Sequence, residues 1–362
     1  MFINSRAGPG MLCALFLYLF SPTGLAEPYL AYRMQAKCST CHVNPLGGGM
    51  RNEFGAYFGY NQLPASVSDL SSAQMGRLTD FVGLGGDLRY NAEYQQDDSD
   101  TEASTFRMDS AQLYLALKPS SNLTFYLDQR VAPGSAINRE ALLMYRFDSG
   151  HYVKAGKMYA PVGLRLEDDE ALVRQTSGYN FDSSDNGVEV GLEFDRASLS
   201  LFVMNGTSAV SNNDKHFLYG LRGEYLLGGF RLGSTLLSNP GDQADELLVN
   251  LYGGWSWREW TLLAEADLIR VDHEDGTHNE RWAGLFEVNY QWRPGLNLKL
   301  TSEYLDPDRD IEENQQTRYS VVVEYTPLSN LQLRMGWRSS QGIPQQPERS
   351  TKKLFAQAHL YF

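Results

Sequence analysis

The sequence predicts an all-β fold, a transmembrane antiparallel β-barrel of about 16 strands preceded by a small segment with chemistry of its own. Three observations lead there. From Val82 onward, segments of about ten residues alternate apolar and polar side chains. Tight turns alternate with longer, acidic connections through the same region. Ahead of it stands Cys38-Ser39-Thr40-Cys41-His42, which contains the last two cysteines of the chain.

The first element is an export signal. Arg6 precedes the apolar run Met11 to Phe20, and the stretch closes with Gly24-Leu25-Ala26, so residues 1–26 read as a secretory signal peptide cleaved after Ala26. The run is too short for a bilayer helix, which needs about 20 residues. Cys13 lies inside it and is expected to be lost, and its position does not suit a lipid anchor. Elsewhere no run of about 18 apolar residues occurs, so the chain is not expected to span a membrane by helices. Acidic residues outnumber basic ones 44 to 31, which argues against nucleic acid as a partner. The excess suits metal cations or cationic partners, and equally an ordinary solvated surface.

The second element, residues 27–81, is too small to bury a core of its own. Its Cys-x-x-Cys-His spacing has a direct chemical use: two thiols add to the two vinyl groups of one haem, and the adjacent imidazole reaches the iron. Cys38 and Cys41 are therefore the expected thioether anchors of a single covalent haem c, and His42 its proximal ligand. A redox dithiol would want a thioredoxin-like βαβ context, and a structural zinc would want two more ligands nearby; the segment offers neither. Met34, Met50 and Met75 are the candidate distal ligands, because the remaining histidines (His151, His216, His273, His278 and His359) fall in the barrel. Leu46-Gly47-Gly48-Gly49 lets the backbone approach the ring closely or bend sharply away from it.

The third element, residues 82–362, is the barrel. In its first strand Val82, Leu84, Leu88, Tyr90, Ala92 and Tyr94 share one face, and Asp87, Arg89, Asn91, Glu93 and Gln95 the other. Leu123 to Arg130, Trp282 to Trp292, Leu296 to Glu303 and Leu331 to Arg338 repeat the pattern. Seven tight turns and eight longer connections put both barrel ends on the tight-turn side. Aromatic residues near strand ends (Tyr94, Tyr225, Trp255, Trp257, Trp292, Tyr325) suit interfacial girdles. The last strand alternates Leu354, Ala356, Ala358, Leu360 and Phe362, and its terminal Phe resembles the assembly signal of bacterial outer-membrane barrels. Residues Gly156 to Leu164 resemble the lead into the constricting third loop of anion-selective porins. That resemblance implies that loop 159–185 folds into the lumen near Lys154, Lys157 and Arg165.

The whole arrangement, with one Cys-x-x-Cys-His near the mature start, Phe54-Gly55 shortly after it and a porin-like barrel to a terminal Phe, resembles the fused monohaem cytochrome-porins of iron-oxidising bacteria. The resemblance implies an outer-membrane electron conduit between the cell exterior, where ferrous iron or another metal is the partner, and periplasmic electron carriers. Electron transfer, rather than hydrolytic or group-transfer chemistry, is then the expected activity. The rival is a diffusion porin whose haem segment is a structural plug or gate. Because one haem spans only part of an apolar band about 25 Å tall, residues 27–81 are expected to enter the lumen from the periplasmic side. Lipid and lipopolysaccharide are the expected surroundings. Acidic stretches such as Asp97-Asp98-Ser99-Asp100, Glu167-Asp168-Asp169-Glu170, Asp272-His273-Glu274-Asp275 and Asp306 to Asp310 are read as external loops, which either collect metal cations such as ferrous iron or are ordinary acidic surface binding the divalent ions that bridge lipopolysaccharide. Asp306, Asp308 and Asp310 imitate a calcium loop, but Ile311 stands where its glycine should be.

Overall fold

A computed structural model describes residues 27–68, 76–166, 168–179 and 183–362; the expected export signal lies outside them. Alternating side chains can satisfy a two-sided environment only if the strands close on themselves, and they do. Sixteen antiparallel strands follow one another round a closed barrel: β1 (Val82–Asp97), β2 (Glu102–Leu117), β3 (Leu123–Ala132), β4 (Ile137–Arg146), β5 (Tyr152–Met158), β6 (Asp185–Glu193), β7 (Ala197–Met204), β8 (Leu218–Leu227), β9 (Phe230–Asn239), β10 (Ala244–Trp257), β11 (Trp260–His273), β12 (His278–Arg293), β13 (Leu296–Asp306), β14 (Gln316–Tyr325), β15 (Leu331–Gln341) and β16 (Thr351–Tyr361). β1 closes on β16, with Arg89 opposite His359 and Glu93 opposite Phe355. Gly86 and Phe362 exchange backbone hydrogen bonds at 3.1 Å, which puts both barrel ends on the tight-turn rim, as expected.

The barrel is inside-out relative to a water-soluble core. Glu265, Asp267, Glu303 and Glu324 are buried in the lumen, while Leu232, Leu251 and Met335 are about two-thirds exposed on the outer face, at 61%, 60% and 67%. Only a lipid environment stabilises that distribution, since closure leaves no unpaired strand edge and the outward apolar belt replaces water with hydrocarbon. Near the tight-turn rim Phe230, Trp255 and Trp257 stack with centroids 6.0 and 6.2 Å apart, an interfacial girdle. Four of the eight expected long connections are short, because the strands run on into them: residues 98–101, 133–136, 240–243 and 274–277 each turn directly from one strand into the next.

Residues 27–68 sit inside the barrel at the tight-turn end. They comprise helix α1 (Pro28–Arg33), a 3-10 turn at Cys38–Thr40 and helix α2 (Glu53–Asn61). Too small to bury a core, this segment is held by the wall instead. Glu27 pairs with Lys299 at 2.9 Å, and Tyr29 donates to Glu324 at 3.2 Å. Arg33 donates to Gln291 at 2.5 Å, and Lys37 to Glu193 at 2.7 Å. Asn44 donates to Glu140 at 2.8 Å, and Tyr361 donates to the Gly59 carbonyl at 3.2 Å. Ala65 and Ser66 donate from their backbones to Thr326 and Pro327, both at 2.7 Å. These anchors come from strands spread round the circumference, so the segment is a plug rather than an appended tail.

Candidate functional site in the barrel lumen

Cys38 begins a single 3-10 turn, and the His42 backbone N–H donates to the Cys38 carbonyl at 3.0 Å. This tight coil is clasped by Asn52, whose Nδ2 donates to the carbonyls of Ser39 and Thr40, each at 3.1 Å. The Asn52 Oδ1 accepts from the Gly55 N–H at 3.0 Å and so caps α2 at the same time. One side chain thus joins the motif to the next helix. Sequence reasoning missed Asn52; the available signal was an N-cap residue directly before Glu53. α2 approaches so closely that a Cβ on Gly55 would run into the Cys41 carbonyl, which gives the Phe54-Gly55 pair its physical meaning.

Gly47, Gly48 and Gly49 all have left-handed φ values, 87°, 70° and 59°. They turn the chain so that Val43 N–H bonds the Met50 carbonyl at 3.0 Å. A Cβ on Gly47 would lie 3.1 Å from Cys38 Cβ, and the turn ends against Tyr126, whose hydroxyl accepts from Met50 N–H at 3.0 Å. The glycine run therefore packs closely over the motif.

Cys38, Cys41, His42 and Met34 line one side of a lumen cavity of about 360 Å³. Arg222 and Arg231 line its wall near Cys38, and Arg51 and Arg165 stand near His42. His42 is buried, with the backbone of Gly48 and Gly49 close beside its imidazole and no hydrogen bond of ordinary geometry at its Nδ1. Burial first, then the Arg51 guanidinium, pushes its pKa down to about 4, so the imidazole is neutral, the form that binds metal. Burial and then the neighbouring Cys38 raise the Cys41 thiol. Both thiols are free.

A haem fits this donor set. Two free thiols and a neutral imidazole border one cavity that Arg51, Arg165, Arg222 and Arg231 also line. Glu224 pairs with both Arg222 and Arg231, at 3.1 and 2.8 Å, and offsets only one of those two charges, so positive charge remains for the propionate carboxylates that a haem brings. A zinc ion does not fit: among the described residues no three His, Cys, Asp or Glu side chains converge as ligands of one ion. Of the candidate distal ligands, Met34 borders the cavity, Met50 is buried against the barrel wall beside Gly83 and Gly85, and Met75 lies outside the described residues.

Loop 159–185 does enter the lumen, and it crosses to the far wall. Leu164 N–H donates to Glu265 at 2.9 Å, and Leu172 N–H to Glu303 at 2.7 Å. Arg174, in helix α3 (Leu172–Ser177), also pairs with Glu265. Asp168 pairs with Arg338, and Glu170 bonds Arg338 at 2.8 Å and Lys353 at 3.2 Å. This corrects the reading of Asp168 and Glu170 as an external cation-binding loop: basic residues of β15 and β16 hold them inside the barrel. Of the basic residues expected beside the loop, Arg165 lines the cavity. Lys154 is wholly buried against Glu189 at 2.8 Å, and Lys157 donates to the Asn138 carbonyl at 2.9 Å.

No protein-family model and no curated protein matches the chain. Solved structures do. The chain is similar to OmpT of Vibrio cholerae in a form lacking loop L8, at 13% identity and a TM-score of 0.60, over 78% of this chain and 99% of the other. It is similar to an anion-selective porin from Comamonas acidovorans at 11% identity and a TM-score of 0.61, over 78% and 99% of the two chains. It is also similar to OmpF of Salmonella typhi, at 11% identity and a TM-score of 0.58, over 78% and 97%. At such identities the likeness establishes the fold. The chain shares with these outer-membrane proteins the closed barrel fold, and in such barrels the rim of tight turns is generally the periplasmic one.

Proposed function

We propose that this chain is an outer-membrane electron conduit in which one covalent haem c, attached through Cys38 and Cys41 with His42 as proximal ligand, passes single electrons between the cell exterior and a periplasmic carrier. The observation that carries this reading is the position of the Cys-x-x-Cys-His coil, which opens onto the lumen cavity from a plug pinned to the wall. Bound there, the haem would supply one-electron chemistry through its iron. The chain's own residues do the rest. Cys38 and Cys41 fix the ring edge, His42 offers a neutral nitrogen, and Arg51, Arg165, Arg222 and Arg231 offset carboxylate charge. The barrel insulates the site laterally from lipid. The resemblance to fused cytochrome-porins points the same way, with ferrous iron or another metal complex as the external partner.

A haem stain of purified outer membranes, compared between the native chain and Cys38→Ala, tests attachment and location together. Anaerobic spectra in proteoliposomes with membrane-impermeant ferricyanide outside test conduction. Haem that never responds to the external reagent sinks the conduit.

The fold likeness, which includes an anion-selective porin, favours a second reading, a diffusion channel with residues 27–68 as plug or gate. Planar-bilayer conductance by a protein whose haem stays redox-silent would decide for the channel.

A further inference from the structure

We infer that Met34 is the distal axial ligand of the haem, supplying its thioether sulfur to the iron face that His42 leaves open; the inference rests on the haem reading above. The usual order in small cytochromes, with the methionine well after the motif, would favour Met75. The fold points to a residue before the motif instead.

Met34 caps α1, and its N–H bonds the Leu30 carbonyl at 2.9 Å. Directly after it, Gln35 takes a left-handed φ of 51° and reverses the chain, and Lys37 is then fastened to the rim through Glu193 and the Ala197 carbonyl at 2.7 and 2.8 Å. Met34 and Cys38 are therefore tied to the same part of the lumen by a short, anchored connection. Its side chain is only half-buried and lines the cavity that Cys38, Cys41 and His42 line. A flexible, polarisable thioether left partly uncovered inside a protein is a residue with contacts still to make.

The competing donors are occupied or elsewhere. The Met50 methyl group lies where a Cβ on Gly83 would be only 2.6 Å away, so Gly83 makes room for it in the wall, where it packs with Tyr114 and Ala116. Among the described histidines, His42 alone lines the cavity. His151 accepts from the Glu193 N–H at 2.9 Å, and His359 is buried against Asp87 at 2.8 Å. His216, His273 and His278 belong to the long-loop rim. Lys37 is committed to the rim. Tyr32 also borders the cavity, but its ring is buried against the wall where Gly254 makes room for it, with the Arg231 guanidinium 4.9 Å from its centroid. A thioether needs no deprotonation, and paired with His42 it raises the potential relative to two imidazoles.

The test uses the full-length chain purified from outer membranes. The ferric native protein should be low-spin and show the far-red sulfur-to-iron charge-transfer band. Met34→Ala should lose that band and turn high-spin, whereas Met50→Ala and Met75→Ala keep it. Met34→His, which still offers a ligand if the alanine variant fails to assemble, should stay low-spin without the band and with a lower midpoint potential. A band that survives in Met34→Ala or Met34→His, is missing from the native protein, or vanishes in Met75→Ala, overturns the assignment. A native chain with no covalent haem on a denaturing gel overturns the haem reading itself, a different result from a stained chain lacking the band.

Discussion

Gly55 lies directly against the backbone carbonyl of Cys41, with no room for a β-carbon between them. The helix that follows the motif is thereby part of the motif's mould. Gly55→Ala should push α2 away from the coil at a cost of about 1–3 kcal/mol, and haem-stained protein should fall relative to total barrel. Asn52→Ala, which removes both the cap and the clasp on Ser39 and Thr40, should cost about 1 kcal/mol through the cap alone and lower staining in the same way. Heat-modifiable migration on gels should be unchanged in both, because neither residue belongs to the wall. Equal staining in Gly55→Ala would show that the coil does not need this helix.

A second prediction concerns the wall beneath the plug. Lys154 and Glu189 are a fully buried pair 2.8 Å apart, and Tyr152 and Ser200 add hydrogen bonds to Glu189 at 2.6 and 3.0 Å. Glu189→Gln takes away the carboxylate that faces the ammonium and leaves it an amide oxygen, Asn44 of the plug at 3.2 Å and the more distant Glu140 charge. Loss of about 3–5 kcal/mol of stability is expected, read as a lower urea midpoint for barrel unfolding. The double variant Glu189→Leu/Lys154→Met should recover most of it, since the uncompensated charge is gone. A single variant as stable as the native barrel would mean that water reaches Lys154.

The wall was legible in the sequence because its information is local. Strand period, turn residues and the terminal Phe362 each occupy a few neighbouring positions, so strands such as Trp282 to Trp292 declare their two faces unaided. The Cys38, Cys41 and His42 constellation is local too. What joins distant positions was not legible. Asp168 reads as one more exposed acid until Arg338, 170 residues later, comes round the barrel to meet it. Met34 and Met50 are equivalent on composition and separate only when the Gly83 and Gly85 gap in β1 is seen to take Met50.

The strap made by loop 159–185 has a definite pH response. Burial works to raise the Asp168 carboxyl, but Arg338, Arg318 and Arg334 outweigh it and hold its pKa well below the usual carboxylate range. Burial and Asp168 raise Glu170, and Lys353 with Arg338 bring it down on balance. A depressed folded-state pKa stabilises above the unfolded-state value and is lost as pH falls through the folded one. The strap should therefore stay closed from pH 8 to about 5 and open only in stronger acid. Accessibility of a cysteine introduced at Asp169, read with a bulky impermeant maleimide, should be flat over that window and rise below it. Arg338→Ala should shift the rise toward neutral pH. A native protein whose labelling changes between pH 7 and 6 would contradict this.

The last prediction separates plug from barrel. Lys37 is three-point anchored at the rim, to the Glu193 carboxylate and to the carbonyls of Phe194 and Ala197. Hydrogen bonds of a charged donor contribute about 1.5–3 kcal/mol in all but the most exposed settings, and the Lys37 side chain is only 16% exposed. Lys37→Ala should let the connection between α1 and the motif loosen at its periplasmic end while every strand pairing remains. Protease added from the tight-turn side should then cut within residues 27–68 faster than in the native protein and leave a heat-modifiable barrel fragment intact. Faster cleavage throughout the barrel would instead mean that Lys37 supports the wall, and unchanged cleavage would mean that the other anchors, Glu27 on Lys299 and Asn44 on Glu140, hold the plug without it.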